Sequence, residues 1–408
     1  MKFKDYPIAK VIKFQIKELG WTRPTDIQFK AIKPILEGED VLAIAQTGTG
    51  KTASFVIPTL NMIHSDLGKN SFHFVRCLVM VPTRELAVQI FDVYKDVGKE
   101  TDVKILALLG GVEQDDQIKQ LESGVDIVIS TPGRLFDLCS QGFLKLDKLQ
   151  TLVLDEADHM LDLGFVKDIR DLMRHIPQKR QTLFFSATID KDIKKIAYDL
   201  VRNAIRIQIS PNNPVAKNID HAVAHVEMDD KRFFLENIIK ENEDKKILVF
   251  VRTKVRAERV VKAMERVAIH SKTIHGDVEQ KDRFEILNEF KNNALKVLIT
   301  TDVAARGIDI PGVHAVVNYD MPEQPDNYVH RVGRTGRGKE KGAAISFCSE
   351  DELPLLVDIE AYIGHEIPVY DLSKSDYKNI IEDSDDGAND WKKLIEEENE
   401  RAGKKGEW

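Results

Sequence analysis

The chain contains 408 residues, more than one ordinary hydrophobic core holds, so we expect two domains. Hydrophobic residues make up 42% of it, and no apolar run reaches the roughly 18–20 residues that a membrane-spanning helix needs, which excludes a membrane-spanning class of protein. The net charge is −8, so the protein as a whole does not attract polyanions. A nucleic-acid site would therefore have to be a local cluster of basic residues.

Short apolar segments alternate with longer amphipathic segments along both halves of the chain. In the first half they predict strands at 41–44, 77–81, 104–108, 126–130, 151–155 and 181–185. In the second half they predict strands at 246–251, 296–301, 315–318 and 343–347. Most of these segments carry few polar residues, as parallel strands covered on both faces do. The repeated βα units predict an α/β fold with two doubly wound parallel sheets.

The composition changes at two places. Residues 210–218 contain two prolines and three asparagines, which predicts a flexible linker between domains at 1–209 and 219–370. Residues 371–408 contain twelve acidic and seven basic residues, which predicts a flexible acidic tail. Residues 389–401 have the pattern of a short helix with Trp391, Leu394 and Ile395 on one side, either solvated or able to dock a protein partner.

Three cysteines, Cys77, Cys139 and Cys348, are far apart in sequence and adjoin no cluster of cysteines or histidines. This spacing favours buried thiols over disulfides or metal ligands. The N-terminus lacks the apolar segment of a secretory signal. We therefore expect a cytoplasmic protein.

The most informative motif, residues 45–52, follows the strand predicted at 41–44 and precedes a helical segment. A glycine-containing turn between strand and helix aims backbone N–H groups and the positive end of the helix dipole at one point, which favours phosphate binding. Lys51 can reach the β- and γ-phosphates, and the Thr52 hydroxyl can bind Mg²⁺. Ala45 stands where glycine is usual. The alternative is an ordinary surface loop, which the flanking strand and helix disfavour. The predicted nucleotide-binding residues are Ala45, Gln46, Thr47, Gly48, Thr49, Gly50, Lys51 and Thr52.

Three acidic residues, Asp155, Glu156 and Asp158, lie at the carboxyl end of the strand predicted at 151–155, where ligands bind in an open α/β sheet. Asp155 can hold Mg²⁺, and Glu156 can orient or deprotonate an attacking water. The alternative is a set of acids favoured by the dipole of a helix N-terminus. The phosphate-binding motif in the same domain favours catalysis.

Together with Ser186-Ala187-Thr188 and residues 330–337, these motifs resemble those of the DEAD-box ATP-dependent RNA helicases. The resemblance extends from about residue 3 to about residue 368, and residues 155–165 and 318–338 are most similar to the bacterial RhlE-type subgroup. It implies two RecA-like lobes that share one ATP, with Mg²⁺ as cofactor and RNA as partner. In agreement, no glycine turn follows the first core strand of the second half, so that half has no phosphate loop of its own. We expect a monomer.

The resemblance also assigns roles around the nucleotide. Gln28 would recognise adenine, since a carboxamide donates and accepts at once, and Phe3 would stack on the base. Taken alone, Gln28 would be a surface amide and Phe3 a core anchor. In the second lobe Asp309 would contact the ribose, and Arg334 and Arg337 would act as arginine fingers.

The predicted RNA contacts come from both lobes. Those in the first lobe are Pro82, Thr83, Arg84, Gly110, Gly111, Thr131, Pro132, Gly133 and Arg134. Those in the second lobe are Arg252, Thr253, Gly276, Gln280, Arg283 and Thr301. Any one of them alone would be an ordinary loop residue. Because aromatic residues do not interleave with these clusters, we expect a grip on the RNA backbone that is independent of base sequence.

The resemblance implies that Asp158, Ser186, Thr188 and His330 couple hydrolysis to RNA binding, with the two hydroxyls bonded to the acidic residues. His159 stands where arginine is common, which we interpret as surface variation. Two other functions remain open from the sequence. One is an ATP-dependent RNA clamp with little unwinding, and the other is a DNA helicase.

Overall fold

The computed structural model describes residues 2–46, 48–67, 74–188, 191–209, 215–216, 218–305, 310, 312–336 and 341–384. The chain divides into two compact units, the first made by the described residues up to 209 and the second by those from 215 onwards. Among the described residues, no helix has both the length and the apolar character needed to cross a bilayer.

The first unit is built on a parallel sheet of seven strands in the order β3-β4-β2-β5-β6-β1-β7. The strands are β1 (Val41–Ala45), β2 (Cys77–Met80), β3 (Ile105–Leu108), β4 (Ile127–Ser130), β5 (Thr151–Leu154), β6 (Gln181–Ser186) and β7 (Ile205–Ile209). The helices are α1 (Lys10–Glu18), α2 (Asp26–Leu36), α3 (Lys51–Asp66), α4 (Arg84–Val97), α5 (Asp115–Glu122), α6 (Pro132–Ser140), α7 (Ala157–Asp162), α8 (Val166–His175) and α9 (Lys191–Leu200).

Alternate residues of each central strand enter two separate cores, one on each face of this sheet. Val41 and Ala43 pack with residues of α1 to α4, whereas Leu42 packs with residues of α6 to α9. Both faces of β1 are therefore covered, and all five of its residues are buried. This two-sided burial explains the continuous apolar character of the strand in the sequence.

The second unit is built on a parallel sheet of six strands in the order β10-β11-β9-β12-β13-β8. The strands are β8 (Ile219–His225), β9 (Ile247–Phe250), β10 (Ser271–Ile274), β11 (Val297–Thr300), β12 (Ala315–Asn318) and β13 (Gly342–Cys348). The helices are α10 (Lys231–Lys240), α11 (Lys254–Arg266), α12 (Gln280–Lys291), α13 (Asp302–Ala305), α14 (Pro325–Val332), α15 (Leu353–Ile363) and α16 (Lys374–Glu382). Two doubly wound parallel sheets are thus confirmed.

Helix α16 lies in the segment that the sequence assigns to a flexible tail. Tyr377 packs against Phe234 of α10 with ring centroids 4.8 Å apart, and its hydroxyl donates to Asp230 at 2.8 Å. Ser384 hydrogen-bonds the buried carboxylate of Glu236. The described part of this segment therefore packs on the second unit. The helix predicted at 389–401 lies outside the described residues.

Candidate functional site

The candidate residues of the first unit divide along one edge of its sheet. Except for Phe3 and Gln28, the candidate residues that the structure describes lie at or just beyond the carboxyl ends of strands. The residues predicted to handle ATP follow β1 and β5, and Ser186 and Thr188, predicted to couple hydrolysis to RNA binding, lie at the end of β6, which is between those two strands in the sheet. The residues predicted to contact RNA follow β3, β4 and β2, which are also neighbours. The predicted ATP residues and the predicted RNA residues therefore lie side by side along one edge of the sheet.

The phosphate loop after β1 has the backbone that the motif predicts. Gly48 and Gly50 have φ angles of +80° and +90°, in the left-handed region that favours glycine, and α3 begins at Lys51. The Thr49 hydroxyl donates to the carbonyl of Gln46 at 2.7 Å and closes the turn. Lys51 is only 7% exposed, and its Nζ has no hydrogen-bond partner within the described chain. A buried ammonium without a partner fits an anion as its missing neighbour.

Asp155 is buried and interacts electrostatically with this lysine. Burial raises the pKa of Asp155 to about 7, while the charge of Lys51 opposes the shift and that of Glu156 adds to it. Asp155 Oδ1 accepts from the backbone N–H of Glu156 at 3.0 Å. Glu156 itself has a φ angle of +51°, which is uncommon for a residue with a side chain and is found at active sites.

Asp158 ties α7 to the loop after β6. Its Oδ2 accepts from the backbone N–H groups of Ala187 and Thr188 at 2.9 and 3.1 Å and lies 3.3 Å from the Thr188 hydroxyl. The Ser186 hydroxyl donates to the Thr188 carbonyl at 2.7 Å. The structure therefore shows a hydroxyl-to-carboxylate bond for Thr188, whereas Ser186 braces the loop.

The interpretation of His159 as surface variation is wrong. His159 is 4% exposed, and its Nδ1 lies 3.5 Å from Oε2 of Glu156. The residue is buried because α7 is short and lies against the sheet, so that positions 157 to 160 are all buried. The sequence gives one hint of this contact, the spacing of three residues between the two side chains on a helix.

Gln28 and Phe3 are both held inside the first unit. Gln28 Nε2 donates to the Gly50 carbonyl at 3.1 Å, and its Oε1 accepts from the Thr25 backbone N–H at 3.0 Å. Gln28 thus links the start of α2 to the phosphate loop. Phe3 is 4% exposed and belongs to the core, which agrees with the core-anchor alternative, and its stacking on a base stays a prediction.

The three predicted RNA loops of the first unit contact one another through two arginines. The Arg84 guanidinium lies against Gly110 and Gly111, so close that a Cβ atom on Gly111 would meet Nη1 at 2.8 Å. Arg134 donates to the carbonyls of Leu109 and Val112 at 3.1 and 2.8 Å. These contacts join the loops after β2, β3 and β4 into one surface.

The second unit repeats this arrangement. Its predicted RNA residues follow β9, β10 and β11, again three neighbouring strands. Arg252 forms an ion pair with the buried Glu352 at 3.0 Å. Arg283 donates to the carbonyl of Ala304 at 2.7 Å and so links α12 to α13. The Thr253 hydroxyl caps α11 by accepting from the Arg256 backbone N–H at 3.2 Å.

Two family models match the chain. The DEAD/DEAH box helicase model matches residues 25–196, and the helicase conserved C-terminal domain model matches residues 230–339. The chain is 39% identical over 365 residues to the ATP-dependent RNA helicase DbpA of Bacillus subtilis, an alignment that covers 90% of this chain and 75% of that protein. The chain belongs to the DEAD-box helicase family. It is also 40% identical over 386 residues to the ATP-dependent RNA helicase RhlB of Shewanella putrefaciens, covering 94% of this chain and 87% of that protein.

Solved structures of DEAD-box proteins have the same fold. Dbp5 of S. cerevisiae bound to RNA and ADP BeF3 matches with a TM-score of 0.82 and 30% identity, over 93% of this chain and 99% of that one. The DEAD-box helicase Mss116 bound to ssRNA and UDP-BeF matches with a TM-score of 0.83 and 28% identity, over 93% of this chain and 81% of that one. The DEAD-box resemblance is confirmed, while the RhlE-type subgroup stays a prediction because these relatives carry other names.

Arg331 and Arg334 have different environments in this DEAD-box protein. Arg331 is 2% exposed and forms two contacts with the Asp302 carboxylate, at 2.6 and 2.7 Å. It also donates to the Asp320 carbonyl at 2.7 Å. Arg334 is 5% exposed and donates from Nε to the carbonyl of His330 at 3.2 Å. The predicted site residues Thr47, Asp309 and Arg337 lie outside the described residues.

Proposed function

We propose that this DEAD-box protein is an ATP-dependent RNA helicase that hydrolyses ATP at the β1-β5-β6 edge of its first unit and holds the RNA backbone on neighbouring loops. One observation carries the proposal. The buried Lys51 ammonium lies at the start of a helix, has no hydrogen-bond partner in the described chain and interacts electrostatically with the buried Asp155. That combination of charges fits a phosphate bound next to a cation.

The same residues fit Mg²⁺. The Asp155 carboxylate and the Thr52 hydroxyl are oxygen donors, and a Mg²⁺ site requires few protein ligands because the ion keeps several waters. We propose that these two residues hold it, directly or through water. When bound, the ion would neutralise charge on the β- and γ-phosphates.

The remaining roles are assigned by side-chain chemistry. Lys51 binds the phosphates, and Glu156 orients the attacking water and accepts its proton. Gln28 recognises adenine with the carboxamide that now bridges Thr25 and Gly50. Arg334 and Arg337 supply positive charge to the transferring phosphoryl group, and Asp309 contacts the ribose.

The RNA-binding surfaces favour contacts with phosphate and sugar. The loops after β2, β3 and β4 present glycines, helix starts and the guanidinium groups of Arg84 and Arg134. We propose that RNA binding is independent of base sequence and weakens with salt, because released counterions drive it. Strand displacement on a short duplex would separate unwinding from clamping, and ATPase stimulation by RNA and DNA of one sequence would separate the two nucleic acids.

We also propose a cytoplasmic location and a monomeric state. The three cysteines of the chain are free, which suits a reducing compartment. Cell fractionation and light scattering of the purified protein test these two statements.

The central test compares Glu156→Gln with Lys51→Ala in an RNA-stimulated ATPase assay. Glu156→Gln keeps the shape of the side chain but removes its basicity, so it should lower turnover and prolong the life of the complex with ATP and RNA. Lys51→Ala should weaken ATP binding itself. Lys30→Ala, on the exposed face of α2, is the matched control and should change neither quantity. Parental turnover in Glu156→Gln would refute the assignment of the base.

A further inference from the structure

His159 is a buried polar side chain to which the proposed mechanism assigns no role. The residue is 4% exposed, and neither Nδ1 nor Nε2 has a hydrogen-bond partner within the described chain. Its neighbours on α7, Ala157, Asp158 and Met160, are buried as well. The ring therefore lies in the interior of the first unit without the bonds that a buried imidazole ordinarily makes.

Burying the ring without partners is unfavourable, because both of its nitrogens can form hydrogen bonds. A neutral imidazole has one donor and one acceptor, and an imidazolium has two donors. Buried polar groups of this kind nearly always find partners, and one that lacks them calls for an explanation. A contact that forms only when a ligand is bound would explain the missing hydrogen bonds, because catalytic hydrogen bonds are often long or poorly aligned in the free enzyme.

The geometry identifies the partner. His159 Nδ1 lies 3.5 Å from Oε2 of Glu156, a few tenths of an ångström beyond an ordinary hydrogen bond. The backbone of this turn is fixed, because Asp158 Oδ1 accepts from the His159 backbone N–H at 3.1 Å and Asp158 Oδ2 is bonded to the loop after β6. A small movement of the Glu156 side chain is enough to close the remaining gap.

We propose that His159 is a positioning residue for hydrolysis: its Nδ1–H donates to the Glu156 carboxylate and holds it against the attacking water. The inference rests on the proposed function, since it requires Glu156 to act as the base. Holding the Glu156 carboxylate in place should raise kcat, because the carboxylate then spends more of its time within reach of the attacking water. ATP binding, which depends on the phosphate loop, is unaffected.

The test uses two substitutions of nearly equal size in the full-length protein. His159→Asn places an amide N–H close to the position of Nδ1, whereas His159→Leu fills the space without a donor. We expect His159→Leu to lower kcat of the RNA-stimulated ATPase at least tenfold, with KM for ATP within threefold of the parent. We expect His159→Asn to keep kcat within threefold. Equal turnover in the two variants would overturn the proposal.

Two further measurements separate positioning from folding. His175→Leu, a matched change at an exposed histidine of α8, should leave kcat unchanged. In a Glu156→Gln background, His159→Leu should cause no additional loss of single-turnover rate, because a residue that acts through Glu156 has nothing left to position. An additional tenfold loss there would also overturn the proposal. If His159→Leu does not fold, as judged by its melting curve, His159→Met replaces it because Met adapts to irregular space.

The outcome also distinguishes this inference from the proposed function. If Glu156→Gln abolishes turnover while His159→Leu retains it, only the positioning role fails. If Glu156→Gln retains turnover, the proposed base is wrong, and the positioning role fails with it.

Discussion

The substitution Asp155→Asn should stabilise the ligand-free protein while it removes function. Burial raises the pKa of Asp155 from 3.8 to about 7, even though Lys51 opposes the shift. Between these two values the folded state binds more protons than the unfolded state, so the contribution of Asp155 to the free energy of unfolding falls as the pH rises. A difference of about three pKa units corresponds to about 4 kcal/mol when the carboxyl is fully ionised.

An asparagine at this position does not ionise, so the variant should escape that cost. We expect its free energy of unfolding to exceed that of the parent by about 2 kcal/mol at pH 5 and about 4 kcal/mol at pH 8. Urea denaturation at both pH values, followed by circular dichroism at constant salt, measures the difference. Asp147→Asn, at an exposed loop position, is the matched control and should show no such dependence.

A gain for Asp155→Asn that is the same at pH 5 and pH 8 would refute this reasoning, because the effect would then not arise from ionisation. A loss of stability at pH 8 would refute it as well. The variant should also lose ATP turnover. Asp155 would then be a case in which a functional residue is kept at the expense of stability.

Three other substitutions test separate parts of the structure. Gly50→Ala should raise KM for ATP at least tenfold, because the added Cβ lies 2.5 Å from Gln28 Nε2 in a left-handed backbone; an unchanged KM would contradict the loop geometry. Gln28→Ala should erode a preference for ATP over GTP, measured as the ratio of kcat/KM values, and equal use of GTP by the parent would remove the adenine assignment. Lys231→Met should cost about 2–3 kcal/mol in urea denaturation, because Lys231 lies 2.5 Å from the buried Glu352, which would retain its ion pair with Arg252. Lys378→Met removes one partner of an exposed ion pair and should cost less than about 1 kcal/mol. Equal losses of stability in the two variants would contradict the importance of burial for the pair of Lys231 and Glu352.

The central strands of both sheets could be predicted from the sequence because they are buried on both faces and read as continuous apolar runs. Three strands were missed, and all three lie at sheet edges. In β7 the pattern is broken by the exposed Arg206, β8 contains two histidines and an aspartate, and β10 contains a lysine. Edge strands have one open side and tolerate polar residues, so their sequences lack the signal.

In the candidate site, too, only the local motifs could be predicted from the sequence. The phosphate loop and the acidic residues are local motifs, and the structure places them after β1 and β5, on either side of β6. The burial of His159 could not be predicted, because it depends on how closely α7 approaches the sheet. The docking of α16 could not be predicted either, since Tyr377 finds its partners Phe234 and Asp230 more than 140 residues earlier in the chain.

The buried position of Arg331 changes how loss-of-activity data for residues 331–337 should be interpreted. Its guanidinium clamps the carboxylate of Asp302, the residue after Thr301, and lies over the ring of Phe250 at 5.2 Å from its centroid. An alanine at position 331 would release the loop after β11, which carries the proposed RNA contact Thr301, and could thereby lower RNA binding without any contact between Arg331 and RNA. An alanine at Arg334 acts on a different part of the motif. Equal losses of activity at the two positions would therefore not show that the two arginines have the same role. A melting curve recorded with each activity measurement would distinguish an arginine that stabilises the fold from one that acts in the reaction.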